Sequence, residues 1–161
     1  MVNSYQIKVI GRYYKITEIL LAISPIMCVI YLNFGAINIG TNILEVIQGD
    51  PRLLVMFLSA MVNPFIAYLL IFMERKIVEN DISYSVVNLI ILIVAELLFQ
   101  NMVFLCLLGF LLYKIIKLYN VSVRECFKEK IKNKFFTTIS GGVVVIVIAA
   151  ICLFATIRIN I

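Results

Sequence analysis

Long runs of apolar residues follow one another along most of this chain, and polar positions are concentrated in the segments between them. Three runs, at about 18–36, 52–73 and 138–157, each contain the roughly 17–25 residues that a helix needs to cross the hydrocarbon of a bilayer. A fourth run, from about residue 83 to residue 118, is too long for one ordinary span. The pattern predicts an all-α protein, a polytopic bundle of membrane helices.

The positions of the basic residues decide how the fourth run is divided, because lysine and arginine near helix ends stay on the cytoplasmic side. A turn at Gln100-Asn101 gives short helices at about 83–99 and 102–118, and it places 12 of the 14 basic residues on one side. One long third helix would instead divide them 6 to 8. We therefore predict five spans and a cytoplasmic N-terminus; the alternatives are four spans or a re-entrant hairpin. The two exceptions in the five-span arrangement are Arg52 and Arg158.

Composition supports this interpretation and indicates one domain. Of the 161 residues, 63% are hydrophobic and 14% are charged, whereas soluble domains have about 45–50% apolar and about 25% charged residues. Three prolines and seven glycines leave no stretch that resembles a linker. Residues 1–161 are predicted to form a single integral membrane domain, and the polytopic layout is compatible with a bacterial cytoplasmic membrane.

The segment between the fourth and fifth spans predicts a cytoplasmic amphipathic helix. Ser122 and Glu125 have the spacing of a capping box, and apolar residues follow Val123 at four-residue steps. Five basic and two acidic residues give 121–136 a net charge of +3, which suits anionic lipid headgroups or an acidic partner protein. The residues predicted to dock on lipid or a partner are Arg124, Phe127, Lys128, Ile131, Lys132 and Phe135.

Two shorter signals lie before the second span. Asp50-Pro51 predicts that a helix begins at Pro51, because aspartate caps exposed N–H groups and proline lacks the N–H that would be orphaned there. The spacing of Asn42 and Glu45 resembles a capping box and predicts a short interfacial helix.

Polar groups inside the apolar runs are the candidates for a functional site. Two Xaa-Pro dipeptides lie about ten residues from the same end of the first and second spans, and each proline deprives a carbonyl of its helical donor. Secondary transporters build substrate sites at such paired interruptions, although membrane helices also tolerate proline widely. Glu96 lies inside an apolar run, where we expect a hydrogen bond to Gln100, Asn101 or a neighbouring helix rather than a proton relay. The candidate intramembrane polar site comprises Ser24, Pro25, Asn63, Pro64, Glu96 and Gln100.

Small residues form one stripe along the last span, and such residues let helix backbones approach closely. The stripe fits packing within the chain and packing against a partner subunit equally well. It consists of Gly142, Val145, Ala149, Cys152 and Thr156.

Catalysis is not expected. The chain has no histidine, which excludes zinc-peptidase helices, Cys–His pairs and Ser–His triads. The four cysteines form no C-x-x-C pair and are predicted to be small buried hydrophobes. Phosphate-binding, dinucleotide-binding and EF-hand motifs are missing from the sequence. We predict no catalytic residue, cofactor or metal, and no nucleic acid as a partner, because membrane orientation accounts for the basic charge.

Three functions remain as hypotheses. The first is a non-catalytic membrane subunit or accessory protein of a larger assembly for transport, export or secretion. It is preferred because five helices, two of them short, leave few ways to enclose a polar path alone. The second is a small autonomous carrier or channel that uses the kinked helices and Glu96. The third is an immunity protein against a membrane-active toxin. The predicted partners are the lipid bilayer and either other subunits or further copies of the chain.

Overall fold

The computed structural model describes residues 4–132 and 135–159, and the side chains of residues 7–131 and 141–158. Within these residues the fold is all-α, as predicted. The helices are α1 (Ser4–Ile39), α2 (Ile43–Gly49), α3 (Pro51–Val78), α4 (Ile82–Leu98), α5 (Met102–Tyr119), α6 (Val123–Lys132) and α7 (Phe135–Ile159).

Four helices, α1, α3, α5 and α7, are long and apolar enough to cross a membrane. The fifth apolar helix, α4, has 17 residues and is shorter. Because a turn at 99–101 separates α4 from α5, the alternative of one long third helix is wrong. The two helices form an antiparallel hairpin, as the five-helix prediction requires.

The turn between α4 and α5 is a local consequence of a left-handed residue. Gln100 has a φ of 58°, and the N–H of Asn101 donates to the carbonyl of Glu96 at 3.1 Å. This bond closes the helix in a Schellman motif. The same arrangement ends α1 at Gly40 and α3 at Asn80, whose φ angles are 75° and 67°. Helices α1, α3 and α4 therefore all end in a Schellman motif at a residue with positive φ.

The bundle has two distinguishable ends. At one end, Lys130 Nζ lies 2.7 Å from Asp81 Oδ2, and Lys114 Nζ lies 5.4 Å from the centre of the Tyr13 ring. We call this the basic end. The opposite end, called the far end, contains α2 and the start of α3, and the turn of the α4–α5 hairpin points toward it. The hairpin therefore runs from the basic end toward the far end and returns.

The far end also shows how α3 begins. Helix α3 starts at Pro51 as predicted, and Asp50 Oδ1 accepts from the N–H of Arg52 at 2.9 Å. The short helix α2 is present too, but the side chain of Asn42 makes no capping hydrogen bond, so the predicted capping box does not form there. Apolar residues of α2 pack against α1 and α3 and hold this corner together.

The small residues of α7 pack inside the chain. Gly142 lies so close to α4 that a Cβ atom would stand 2.6 Å from Ile91 Cγ2. Val145 and Ala149 are fully buried on the same stripe, and Cys152 is nearly so. The structure therefore decides between the two interpretations of the stripe in favour of packing within the chain.

Helix α6 is folded onto the bundle. Lys130 pairs with Asp81, the Ser83 hydroxyl donates to Glu129, and Cys126 is buried. Phe127 packs against the bundle core, whereas Ile131 is 62% exposed. The predicted docking of Phe127 on lipid or a partner is therefore wrong, because this side chain packs within the chain. The docking of Ile131 stays a prediction. Arg124 and Lys128 remain exposed, and the side chains of Lys132 and Phe135 lie outside the described residues.

Candidate functional site

A cleft of about 940 Å³ lies between α1, α3 and the α4–α5 hairpin. Its origin is a difference in helix length. At 1.5 Å per residue, α4 and α5 rise about 26 and 27 Å, whereas α3 rises about 42 Å. Starting from the basic end, the hairpin stops short of the far end and leaves α1 and α3 without a neighbour there. Lining residues come mainly from 20–31, 52–63 and 99–107.

Helices α1 and α5 touch near the basic end and separate toward the far end. The rings of Tyr13 and Phe110 meet edge to face with 5.7 Å between centres, and Lys114 Nζ lies 5.2 Å from the Phe110 ring centre. Farther along, Tyr31 on α1 and Val103 on α5 both line the cleft and are more than 60% exposed. The cleft is therefore closed toward the basic end and open along the surface that faces lipid.

The polar wall of the cleft forms where α3 is interrupted by proline. Pro64 cannot donate to the carbonyl of Ala60, which loses its helical partner. The Ser24 hydroxyl of α1 donates to this carbonyl at 3.4 Å, and Asn63 Nδ2 donates to Ser24 Oγ at 2.8 Å. The dipeptides Ser24-Pro25 and Asn63-Pro64, which the sequence analysis identified, therefore lie side by side. Their contact is the hydrogen bond between Asn63 and Ser24 and does not involve the prolines. This contact joins α1 to α3 at the cleft.

Two buried polar atoms in this wall have no hydrogen-bond partner among the described residues. They are Ser59 Oγ and Asn63 Oδ1, and their side chains are 6% and 1% exposed. A buried hydroxyl or amide without a partner costs about 1–3 kcal/mol. Both residues line the cleft, so a group entering the cleft can supply the missing hydrogen bonds.

Charge and further amides lie nearer the far end. Arg52 is the one residue with a formal charge among the cleft-lining residues of the described chain. Gln100 and Asn101, from the hairpin turn, contribute two amides to the same lining. Most of the remaining surface is apolar. The cleft therefore suits an apolar ligand that carries a few hydrogen-bonding groups.

Glu96 does not belong to the cleft. Its side chain is fully buried, and neither carboxylate oxygen has a hydrogen-bond partner among the described residues. The prediction that this carboxylate accepts a hydrogen bond from Gln100, Asn101 or a neighbouring helix is therefore wrong for the described residues. Since Gln100 follows the end of α4 in a left-handed conformation, it no longer continues the helical face on which Glu96 lies. Of the six candidates, Ser24, Asn63 and Gln100 line the cleft.

Sequence reasoning missed Ser59, Arg52 and the aromatic residues of the cleft. Ser59 is one turn before Asn63, so the helical spacing could have found it. Tyr31 and Phe104 carry no such signal, because they lie in uninterrupted apolar runs. Within the described residues there is no group of three or more acidic or cysteine side chains that could hold a metal ion.

Comparisons of this chain with protein-family models, with curated proteins and with solved structures found no match.

Proposed function

We propose that this protein is a non-catalytic membrane subunit or accessory protein, and that its cleft receives a transmembrane helix of another chain. The observation that carries the proposal is the pair of buried, unpartnered atoms, Ser59 Oγ and Asn63 Oδ1, in the wall of a cleft that opens toward lipid. Acyl chains offer no hydrogen bonds at this depth, whereas a helix with a polar side chain does.

The size of the cleft agrees with this occupant. A helix about 10 Å wide occupies about 850 Å³ over two turns of 5.4 Å each, and the cleft has about 940 Å³. Because the cleft is open along its length, the partner helix can extend past the two turns that fill the cleft. The partner is expected to carry a serine, threonine, asparagine or glutamine level with Asn63, since interhelical bonds of this kind contribute about 0.6–2 kcal/mol.

The basic end is proposed to face the cytoplasm. The distribution of basic residues supports this orientation. Most lysines and arginines, including Lys76, Lys114 and Lys130, lie at the basic end, whereas Arg52 and Arg158 lie in the segments that lead to the far end. Basic residues close to membrane spans remain on the cytoplasmic side. In that orientation the cleft opens in the half of the bilayer away from the cytoplasm.

Photo-cross-linking from two matched positions tests the proposal. A benzophenone side chain replaces Val103 in the cleft or Phe154 on α7, which is 63% exposed and lies outside the cleft lining. In native membranes we expect Val103 to cross-link to a different polypeptide through a peptide from one of its apolar spans, and Phe154 to give no such product. Ser59→Ala, which removes one of the two unpartnered groups and keeps the packing, is expected to weaken that product. Asn63→Leu is expected to reduce it.

Three results would contradict the proposal. Cross-links from Val103 to lipid alone would indicate a lipid-filled groove. Cross-links to a second copy of this chain would indicate a homo-oligomer. Equal labelling from Val103 and Phe154 would indicate unspecific proximity in the membrane.

A further inference from the structure

One face of α5 at the basic end combines aromatic and basic side chains. Its members have the i, i+3, i+4, i+7 spacing of a single helical stripe, which we call the α5 stripe. They are Phe110, Tyr113, Lys114 and Lys117. The two aromatic side chains are 48% and 54% exposed, and Lys117 is exposed as well. The α5 stripe therefore belongs to the outer surface of the bundle.

The ammonium group of Lys114 is positioned by two rings on two helices. Its Nζ atom lies 5.2 Å from the centre of the Phe110 ring and 5.4 Å from the centre of the Tyr13 ring of α1. These rings meet edge to face with 5.7 Å between centres. Because the faces of aromatic rings attract cations, the ammonium group is held at the seam between α1 and α5. One turn nearer the end of α5, Lys117 Nζ lies 5.8 Å from the centre of the Tyr113 ring.

The two ammonium groups of the α5 stripe form no ion pair within the part of the chain that the structure describes. The ion pairs present there join Lys76 to Glu79 and Lys130 to Asp81. Aromatic rings orient a cation without cancelling its charge. The seam therefore presents two positive charges that an external anion can neutralise.

The height of the α5 stripe in the bundle indicates where this anion comes from. Gly11 of α1 lies against α3, since Glu74 Oε1 is 2.7 Å from where a Cβ on Gly11 would be. Tyr13 is only two residues from Gly11, so Lys114 is level with the charged sequence 74–76 of α3. Three helices thus carry charged residues at one height, beside the end of their apolar parts. Lysine and aromatic side chains at such a height are typical of the headgroup zone of a membrane.

We propose that the seam between α1 and α5 at the basic end binds the phosphate of an anionic phospholipid, with Lys114 as the main contact and Lys117 as the second. Two positive charges favour an anionic headgroup over a zwitterionic one, whose own ammonium group is repelled. Basic pockets between membrane helices bind lipid headgroups in this way. None of the residues of the α5 stripe lines the cleft, so this site is independent of the proposed function.

Thermal unfolding of the purified full-length protein in mixed micelles tests this site. The micelles contain dodecyl maltoside and either phosphatidylglycerol or phosphatidylcholine, at constant ionic strength. We expect phosphatidylglycerol to raise the midpoint in a saturable way, because a ligand that binds only the folded state stabilises it. Phosphatidylcholine is expected to raise it much less. Lys114→Gln should increase the mole fraction of phosphatidylglycerol needed for half of the rise by about fivefold, the effect of one lysine at a membrane surface.

Two further variants distinguish a site from a general effect of charge. Arg75→Gln removes one positive charge from an exposed position of α3 at the same height, and it is expected to leave the response to phosphatidylglycerol unchanged. Phe110→Leu keeps the net charge and an apolar side chain but removes one of the two rings at Lys114. It is expected to weaken the response about two- to fivefold, which is the scale of an exposed cation–π contact.

Four results would overturn the proposal. Equal responses to phosphatidylglycerol and phosphatidylcholine would show that the headgroup charge is not recognised. Equal losses in Lys114→Gln and Arg75→Gln would indicate attraction to the whole basic end. An unchanged response in Phe110→Leu would show that the rings do not position the ammonium group. The same rise with inorganic phosphate in place of phosphatidylglycerol would assign the seam to a free anion.

Discussion

Replacing Gly142 by alanine tests the close packing of α7 on α4. A Cβ atom at this position would stand 2.6 Å from Ile91 Cγ2 and 3.4 Å from Ile91 Cβ. The isoleucine is branched at Cβ and has little rotamer freedom in a helix, so it cannot turn away. Cβ atoms are essentially never found 2.6 Å from another heavy atom, so the two helices must separate locally.

The magnitude follows from two opposing effects. Alanine is favoured over glycine in a helix by about 1 kcal/mol, whereas overpacking a well-packed interface costs about 1–3 kcal/mol. Gly142→Ala is therefore expected to lower the free energy of unfolding by about 0–2 kcal/mol. Gly109 in α5 has nothing within 4 Å of its Cβ position, so Gly109→Ala gains the helical preference without the clash. The two variants should differ by about 1–3 kcal/mol.

Gly141→Ala supplies an intermediate case. Its Cβ would meet Leu69 Cδ2 at 2.6 Å, but this methyl group ends a flexible side chain and can move aside. Equilibrium unfolding in mixed micelles, followed by far-ultraviolet circular dichroism, measures all three variants. The expected order of stability is Gly109→Ala, then Gly141→Ala, then Gly142→Ala. If Gly142→Ala were as stable as Gly109→Ala, α7 would not approach α4 as closely as described.

Three further predictions concern the buried carboxylate, the topology and α6. Glu96→Leu is expected to keep or raise stability in the same unfolding assay, because no hydrogen bond is lost and an unpartnered buried group costs about 1–3 kcal/mol; a clear loss would reveal a partner. In a cysteine-free background, an impermeant thiol reagent added outside cells should label Asn101→Cys and spare Lys128→Cys, and the reverse pattern would invert the topology. Phe127→Ser should cost about 1.5–3 kcal/mol of burial and expose α6 to proteolysis, whereas Ile131→Ser should change little; equal effects would mean that α6 does not pack as described.

Much of the fold follows from the sequence because the signals are local. The start of α3 depends on Asp50-Pro51, and the division of the long apolar run depends on a charge count and on two adjacent amides. Each of these features lies within a few residues of the boundary that it determines. The same holds for α6, whose start at Val123 directly follows Ser122.

What could not be predicted depends on contacts between distant segments. The burial of Glu96 and the inward side of Phe127 are set by which helices cover them, and periodicity identifies a face without identifying its neighbour. The cleft itself depends on a difference in length between α3 and the hairpin. The sequence contains both lengths, but only the packing shows that the shorter pair stands beside the longer one. Ser24 and Asn63 were candidates separately, and their hydrogen bond appears only in three dimensions.

The packing of α7 has a consequence for the order in which the protein assembles. Helix α4 is the shortest apolar helix, and it presents Asn88 and fully buried Glu96 to the rest of the bundle. Its most extensive contact is with α7, which is synthesised after it. Helices α1, α2 and α3 are adjacent in sequence and pack together, so they can associate as soon as they emerge. The α4–α5 hairpin is synthesised before α7, so the face of α4 that packs on α7 stays uncovered until this helix of 25 residues follows it into the membrane.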